Sequence, residues 1–203
     1  MKDLYFMRHG QTFFNQEDLV QGASDSPLTE LGQDQARQAG AYLKERGIRF
    51  GQLYSSTQER ASDTLELVSG RTDYTRLKGI KEWNFGLFEA QPERLQPKFR
   101  SGATNFEDLF VPYGGEGVDQ VGERMLVTLT EVMEQAGAEP VLAVSHGGAM
   151  WAFYLKIAAQ TLDPKVRFGN CAICHYHYEL GHFKLAEVID PLTGDVYKCE
   201  TSL

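Results

Sequence analysis

The sequence predicts an α/β protein: a three-layer sandwich whose mostly parallel, mixed sheet carries helices on both faces. Three observations lead there. Leu4-Tyr5-Phe6-Met7 and Val141-Leu142-Ala143-Val144 are short apolar runs without alternation, the pattern of strands covered on both sides. Strand-like and helix-like segments alternate along most of the chain, as parallel connections require. A strand pair around Gly181, within residues 172–189, supplies a late antiparallel part.

The elements follow in order. The first strand covers about Asp3 to Arg8, and a polar loop with Asn15, Gln21 and Gly22 runs to Ser26-Pro27. A helix from Thr29 to about Arg46 carries an apolar stripe of Leu31, Ala36, Ala39 and Leu43, and Gly47 suits its C-terminal stop. Gln52 to Ser55 reads as the second strand. Thr57 is positioned to cap a helix that ends at Ser69-Gly70. Tyr74 to Leu77 is a short strand leading to Glu82. Residues 83–117 are broken by Pro92, Pro97, Pro112 and Gly114-Gly115, and read as an irregular, lid-like insert over the crevice. A long helix from Val118 to Gln135 is expected to stop at Gly137. The strand at 141–144 follows, then a helix from about Ala149 to Ala159.

Composition narrows the function. A chain of 203 residues fits a single domain, 1–203, with a substantial core. Asp plus Glu number 28 against 20 Lys plus Arg, for a net charge of -8, so a nucleic-acid partner, which needs a basic face, is not expected. A local arginine pocket can still hold a small anion. No secretory signal and no membrane-length apolar run is evident, and three cysteines suit reduced thiols, so a cytoplasmic protein is expected. Oligomeric state is left open, a homodimer being one option.

Chemistry concentrates at the strand ends. The first strand stops at Arg8-His9-Gly10 and the later one at Ser145-His146-Gly147. Ligands of open α/β sheets bind beyond the carboxyl ends of the strands, so both imidazoles are delivered to one crevice. A neutral imidazole can attack phosphorus when one ring nitrogen is unprotonated and the other donates to a fixed acceptor. Arg8 can hold a phosphoryl group through paired N–H bonds. Arg60, one turn into the helix after the second strand, adds a second guanidinium near a helix N-terminus. His146 adds a donor, or a positive charge if protonated.

Four blocks then make a pattern. They are Arg8-His9-Gly10-Gln11-Thr12-x-x-Asn15, Gln21-Gly22-x-x-Asp25-Ser26-Pro27-Leu28-Thr29-Glu30-x-Gly32, Ser55-Ser56-x-x-x-Arg60-Ala61-x-x-Thr64 and Ser145-His146-Gly147-Gly148. In this order they resemble the histidine phosphatase superfamily, the phosphoglycerate mutase-like family, and more specifically its phosphatase branch. The resemblance implies that His9 becomes a phosphohistidine. It implies that Arg8, Arg60 and His146 form the phosphate pocket, and that Thr12, Asn15, Gln21, Gly22 and Gly147 lie near the substrate. Glu82, in Lys81-Glu82-Trp83-Asn84-Phe85-Gly86, matches the family's proton donor. Phe88-Glu89-Ala90 departs from the family pattern, which often has Gly at the last position. Gly115-Glu116-Gly117 departs too, where many members have Ser after Glu.

The expected activity is hydrolysis of a small phosphorylated metabolite, with no cofactor and no metal. Phosphoryl transfer of the mutase kind is the first alternative, and non-catalytic binding of a phospho-ligand the second. The chain is shorter than the family's phosphoglycerate mutases, which favours the phosphatase. Lys78, Lys81, Arg94, Lys98 and Arg100 either meet a second anionic group or are solvated. Cys171-Ala172-Ile173-Cys174-His175, followed by His177, mimics a haem-attachment or zinc pattern. The segment alternates like a strand, which points the two thiols to opposite faces, so the bland reading is preferred: two core thiols and two partly exposed histidines.

Overall fold

The computed structural model describes residues 1–157, 162 and 166–199. In chain order the elements are β1 (Lys2–Arg8), α1 (Phe13–Gln16), α2 (Glu30–Glu45), β2 (Gln52–Ser56), α3 (Glu59–Ser69), β3 (Thr75–Leu77), α4 (Val118–Gln135), β4 (Val141–Ser145), α5 (Gly147–Ile157), β5 (Ile173–Glu179), β6 (His182–Ile189) and β7 (Val196–Lys198). Seven strands form one sheet in the order β3-β2-β4-β1-β5-β6-β7. The first four of that order pair in parallel, and β5, β6 and β7 extend the sheet antiparallel.

The unalternating strands are covered on both sides, as their sequence requires. Leu4 and Phe6 of β1 enter a cluster with Val121, Met125 and Leu129 of α4 and Phe153 of α5. Tyr5 and Met7 enter a second cluster with Ala36, Ala39 and Leu43 of α2 and Leu65 of α3. Those two clusters are the interfaces between the sheet and the helix layers of a three-layer α/β/α sandwich. Burying one such Leu or Phe side chain contributes about 1.5–3 kcal/mol, so β1 and β4 are anchored from above and below.

Helix ends follow local chemistry in part. Thr29 Oγ1 accepts the Gly32 N–H at 3.0 Å and caps α2. Gly47, at φ +70°, closes it: its N–H reaches Lys44 O and the Ile48 N–H reaches Leu43 O. Four expectations need correction. Leu31 is exposed, and the buried stripe of α2 is Gly32, Ala36, Ala39, Tyr42 and Leu43, because Leu31 lies about 100° round the helix from the line of Gly32, Ala36 and Leu43. Thr57 does not cap α3. Gln58 holds the cap position without a side-chain bond, and Asp25 Oδ2, from a distant loop, takes the Glu59 N–H. α4 keeps the expected bounds, Val118–Gln135, but its cap is Ala136 in extended backbone rather than Gly137. α5 begins at Gly147, two residues early, because the His146 carbonyl already accepts the Met150 N–H at 2.9 Å. Its expected end near Ala159 lies outside the described residues.

Residues 83–117 contain short 3-10 turns rather than long elements. Their order comes from aromatic packing. Phe110 sits edge-on to Phe85 at 4.9 Å and to Phe88 at 5.7 Å, and Phe106 lies 4.8 Å from it. β7, a three-residue edge strand, has no counterpart in the sequence pattern.

Candidate active site

β1 and β4 are neighbours in parallel register, with Arg8 opposite Ser145. The residues after them, His9 and His146, therefore leave the sheet side by side, with ring centroids 5.2 Å apart. The His9 N–H donates to Ser145 O at 3.0 Å, which ties the two strand ends together. His9 Nδ1 lies 2.7 Å from Gly10 O, so the proton sits on Nδ1 and Nε2 keeps its lone pair. Arg60 Nε–H approaches Nε2 at 3.4 Å. Burial first, then Arg60 and Arg8, hold the His9 pKa well below 6.5, so the ring is neutral. Burial first, then Arg60, likewise holds the His146 pKa well below 6.5, which favours its neutral form.

The turn that holds His9 depends on close backbone approach. A Cβ on Gly32 would stand 1.9 Å from Gln11 O, so the N-terminus of α2 can pack on this turn only through glycine. The Gly10 N–H donates to Thr64 Oγ1 at 3.0 Å, and that hydroxyl donates to Arg60 O at 2.7 Å. Arg60 and Thr64, one turn apart on α3, thus grip the turn together. Arg60 is fully buried. Its Nη1 donates to Asp25 Oδ1 at 2.7 Å and Ser24 O at 2.9 Å, and its Nη2 to Gly22 O at 3.0 Å. These bonds leave Nε–H facing His9. Arg8 Nη1 donates to Phe168 O at 2.8 Å. Arg8 Nε and both ring nitrogens of His146 are buried without a hydrogen-bond partner among the described residues.

Glu82 reaches the same place from the segment after β3. Its Oε1 accepts the N–H groups of Trp83 at 2.8 Å and Ala149 at 2.7 Å, and Oε2 that of Gly148 at 3.2 Å. A carboxylate on two N–H groups of the first turn of α5 is a favourable helix-dipole arrangement. Gly148 makes room for it, since a Cβ there would meet Glu82 Oε1 at 2.9 Å.

Above these groups opens a cleft of about 710 Å³, a volume suited to a small molecule. Arg8, His9, Glu82, Asn15, Gln21, Gly22 and Gly147 line it. Arg60 and His146 lie beneath, with no exposed surface. Thr12 departs from this group. It is fully buried as the N-cap of α1, its Oγ1 taking the Asn15 N–H at 3.2 Å, so its contribution is to hold Asn15. The opposite wall is aromatic: Phe85, Phe99 and Phe106 from one side, Trp151 and Phe168 from the other, with Glu93 and Arg167 also in the lining. None of Lys78, Lys81, Arg94, Lys98 and Arg100 lines this cleft. Arg100 pairs with Glu107 and Asp108 instead.

Several organising residues were not singled out from sequence. Asp25 holds both Arg60 Nη1 and the Glu59 N–H. Gln58 bridges two halves of the site, its Nε2 donating to Gly22 O at 2.6 Å and its Oε1 accepting the Glu82 N–H at 2.8 Å. Arg124, paired with Glu116 at 2.9 Å, donates to the carbonyls of Gly79, Lys81 and Glu82 and so fixes the Glu82 segment. Asn170 Nδ2 donates to His9 O at 3.1 Å. The two departures from the family pattern resolve into scaffolding. Glu89 clamps the N–H groups of Ala23 and Ser24 at 2.7 Å each, while Ala90 takes a left-handed φ of 58° where glycine is at ease. Glu116 is the partner of Arg124.

Comparisons with known proteins agree with this geometry. Residues 4–191 match the family profile described as "Histidine phosphatase superfamily (branch 1)". A probable phosphoglycerate mutase, GpmB, of Yersinia pestis is 31% identical over 190 residues, covering 88% of this chain and 86% of that protein. The crystal structure of a phosphoglycerate mutase from Bacillus anthracis superposes with a TM-score of 0.77 at 26% identity, over 91% of each chain. A mutant phosphoserine phosphatase from Entamoeba histolytica, in complex with phosphoserine, gives 0.76 at 25% identity, over 93% of this chain and 96% of the other. With motifs, fold and strand-end histidines in agreement, this chain belongs to the histidine phosphatase superfamily.

Proposed function

We propose that the chain hydrolyses phosphomonoesters through a phosphohistidine on His9. The observation that carries this reading is the set of buried polar atoms around His9 Nε2. Arg8 Nε and both His146 nitrogens lack partners among the described residues, and Arg60 Nε makes only a 3.4 Å contact. Buried polar groups are normally satisfied, and Arg8 Nε–H, Arg60 Nε–H and the one His146 nitrogen that carries a proton are donors suited to an anion. A phosphoryl group there gains charge-assisted bonds from Arg8 and Arg60.

The Nε2 lone pair forms the N–P bond as the ester P–O bond breaks, and the departing oxygen takes a proton from Glu82. Water then attacks phosphorus, gives its proton to the Glu82 carboxylate, and the N–P bond breaks to release inorganic phosphate. Arg8, Arg60 and His146 stabilise charge on the equatorial oxygens in both steps.

The aromatic wall favours a leaving group that is apolar beyond its ester oxygen, and Glu93 and Arg167 both stand in the lining. An apolar leaving group offers no second hydroxyl to receive the phosphoryl group, which supports hydrolysis over mutase chemistry. Rapid mixing with para-nitrophenyl phosphate should show a burst of nitrophenol followed by steady release of phosphate. Isomerisation of 3-phosphoglycerate without phosphate release would replace this reading with the mutase. Ligand binding without turnover by the folded chain would replace it with the binding protein.

A further inference from the structure

The β1–β5 and β5–β6 registers bring Asp3, His175, His177 and Glu187 together on the α2/α3 face of the sheet. Asp3 stands opposite His177, and His175 opposite Glu187. Asp3 Oδ1 lies 2.9 Å from His175 Nε2 and 2.9 Å from His177 Nδ1. All three ligand atoms fall within 4.8 Å of one another. Asp3 is six residues up β1 from His9, about 20 Å at the rise of a strand, so the cluster is separate from the cleft.

The hydrogen-bond pattern is what makes it a site. His175 Nδ1 lies 3.2 Å from Glu187 Oε1. Both ring nitrogens of His175 therefore stand within reach of a carboxylate, Nδ1 of Glu187 and Nε2 of Asp3. With Nδ1–H donated to Glu187, Nε2 and the Asp3 oxygen can face one cation together. The carboxylate–histidine pair is the usual outer-shell support of a metal-bound imidazole. The ring is also fixed in plane, because Tyr5 stacks on it at 4.3 Å and 12°. The cysteines that made this segment resemble a metal motif take no part. Cys174 lies in the core cluster on one face and Cys171 in the cluster on the other.

We propose that Asp3 Oδ1, His175 Nε2 and His177 Nδ1 bind one divalent first-row transition cation, Zn²⁺ being the best match to this donor set, with water in the fourth position. Two nitrogens and a carboxylate oxygen suit a borderline cation. At about 2.0–2.1 Å per bond, tetrahedral ligands stand about 3.4 Å apart, so the 2.9 Å pairs need to open by only about half an ångström. Asp3 and Glu187 together balance the two charges. His177 is 30% exposed in its side chain, which leaves a way in. The ion would pin β5 to β1, joining the antiparallel part of the sheet to the parallel part.

The full chain, freed of metal by chelation, should bind one equivalent of Zn²⁺ in calorimetry, and its Tm should rise with added Zn²⁺. Co²⁺ should give visible bands of a four-coordinate nitrogen–oxygen site. Asp3→Asn and His177→Gln, checked as folded by circular dichroism, should lose stoichiometric binding and keep wild-type turnover of para-nitrophenyl phosphate. Glu187→Gln, with all three ligands intact, should weaken binding by roughly 10- to 100-fold. Absence of stoichiometric binding by the wild-type chain overturns the proposal. So does undiminished binding in both Asp3→Asn and His177→Gln, or a Co²⁺ spectrum dominated by thiolate charge transfer, which would point to Cys199.

Discussion

Two pairs of histidines stand on this sheet, and their surroundings are opposite. His9 and His146 are buried at the carboxyl ends of parallel strands, with Arg8 and Arg60 as charged neighbours. His175 and His177 lie on β5 near the other end of β1, less deeply buried, with Asp3 and Glu187 as charged neighbours. The side chain is the same in both pairs. Cationic neighbours and desolvation keep the first pair neutral, which suits attack on an anionic phosphorus. Carboxylate neighbours adapt the second pair to a cation. What differs is the charge set by the neighbouring strands and helices, and that charge decides the chemistry.

The sharpest break of this contrast is His9→Ala. It should lower turnover on the order of 10⁴-fold or more, as loss of a catalytic nucleophile does, and abolish labelling of the chain by phosphorylated substrate. A variant that retains labelling would assign the covalent step elsewhere. Arg60→Ala comes next. Removing a preorganised donor to the transferring phosphoryl group should cost about 3 kcal/mol, roughly 10²-fold in kcat. A loss under tenfold would show that Arg60 serves the fold alone, through its bonds to Asp25, Ser24 and Gly22.

The arginine-flanked pair also predicts a pH dependence of stability. Burial first, then Arg60, places both pKa values well below 6.5 in the folded chain. The unfolded chain therefore takes up protons near pH 6.5 that the folded chain refuses. The neutral state is fully favourable above that pH, and stability falls as the pH drops below it toward the folded values. Each histidine can contribute up to about 1.4 kcal/mol per pH unit. Denaturant midpoints measured from pH 7.5 down to 5.5 should decline, and His146→Gln should flatten part of the decline whatever its absolute stability. An unchanged slope would mean that His146 is protonated in the fold.

Much of this site was legible because most of its residues sit next to strong local signals. Arg8, His9 and His146 follow apolar runs that can only be buried strands, and Arg60 lies in the first turn of an obvious helix. Glu82 came only through the family pattern. What escaped depends on contacts across the chain. Asp25 caps α3 from 34 residues away, and Thr57, the local candidate, does not. Gln58 acts by reaching Gly22 and Glu82 at once. α1 is a four-residue turn closed by the reciprocal bonds of Thr12 and Asn15, too short for any periodicity. The Asp3 cluster exists only in the β1–β5 register, which no single segment encodes. The aromatic insert was legible as irregular, but its packing around Phe110 was not.

The smallest expected effect tests how far the cationic character of the first pair extends into the cleft. Glu93 is the acidic residue beside the aromatic wall, and its field reaches Arg8. Glu93→Gln removes one negative charge without changing shape, and across a solvated cleft that is worth up to about 1 kcal/mol. Turnover of para-nitrophenyl phosphate should therefore hold steady, while kcat/KM for 3-phosphoglycerate, whose leaving group carries a carboxylate, should rise by about two- to fivefold. An equal change for both substrates would mean that Glu93 acts on Arg8 and the phosphoryl group. The leaving group would then be selected by the shape of the aromatic wall alone, and Phe85 and Phe106 would become the residues to vary.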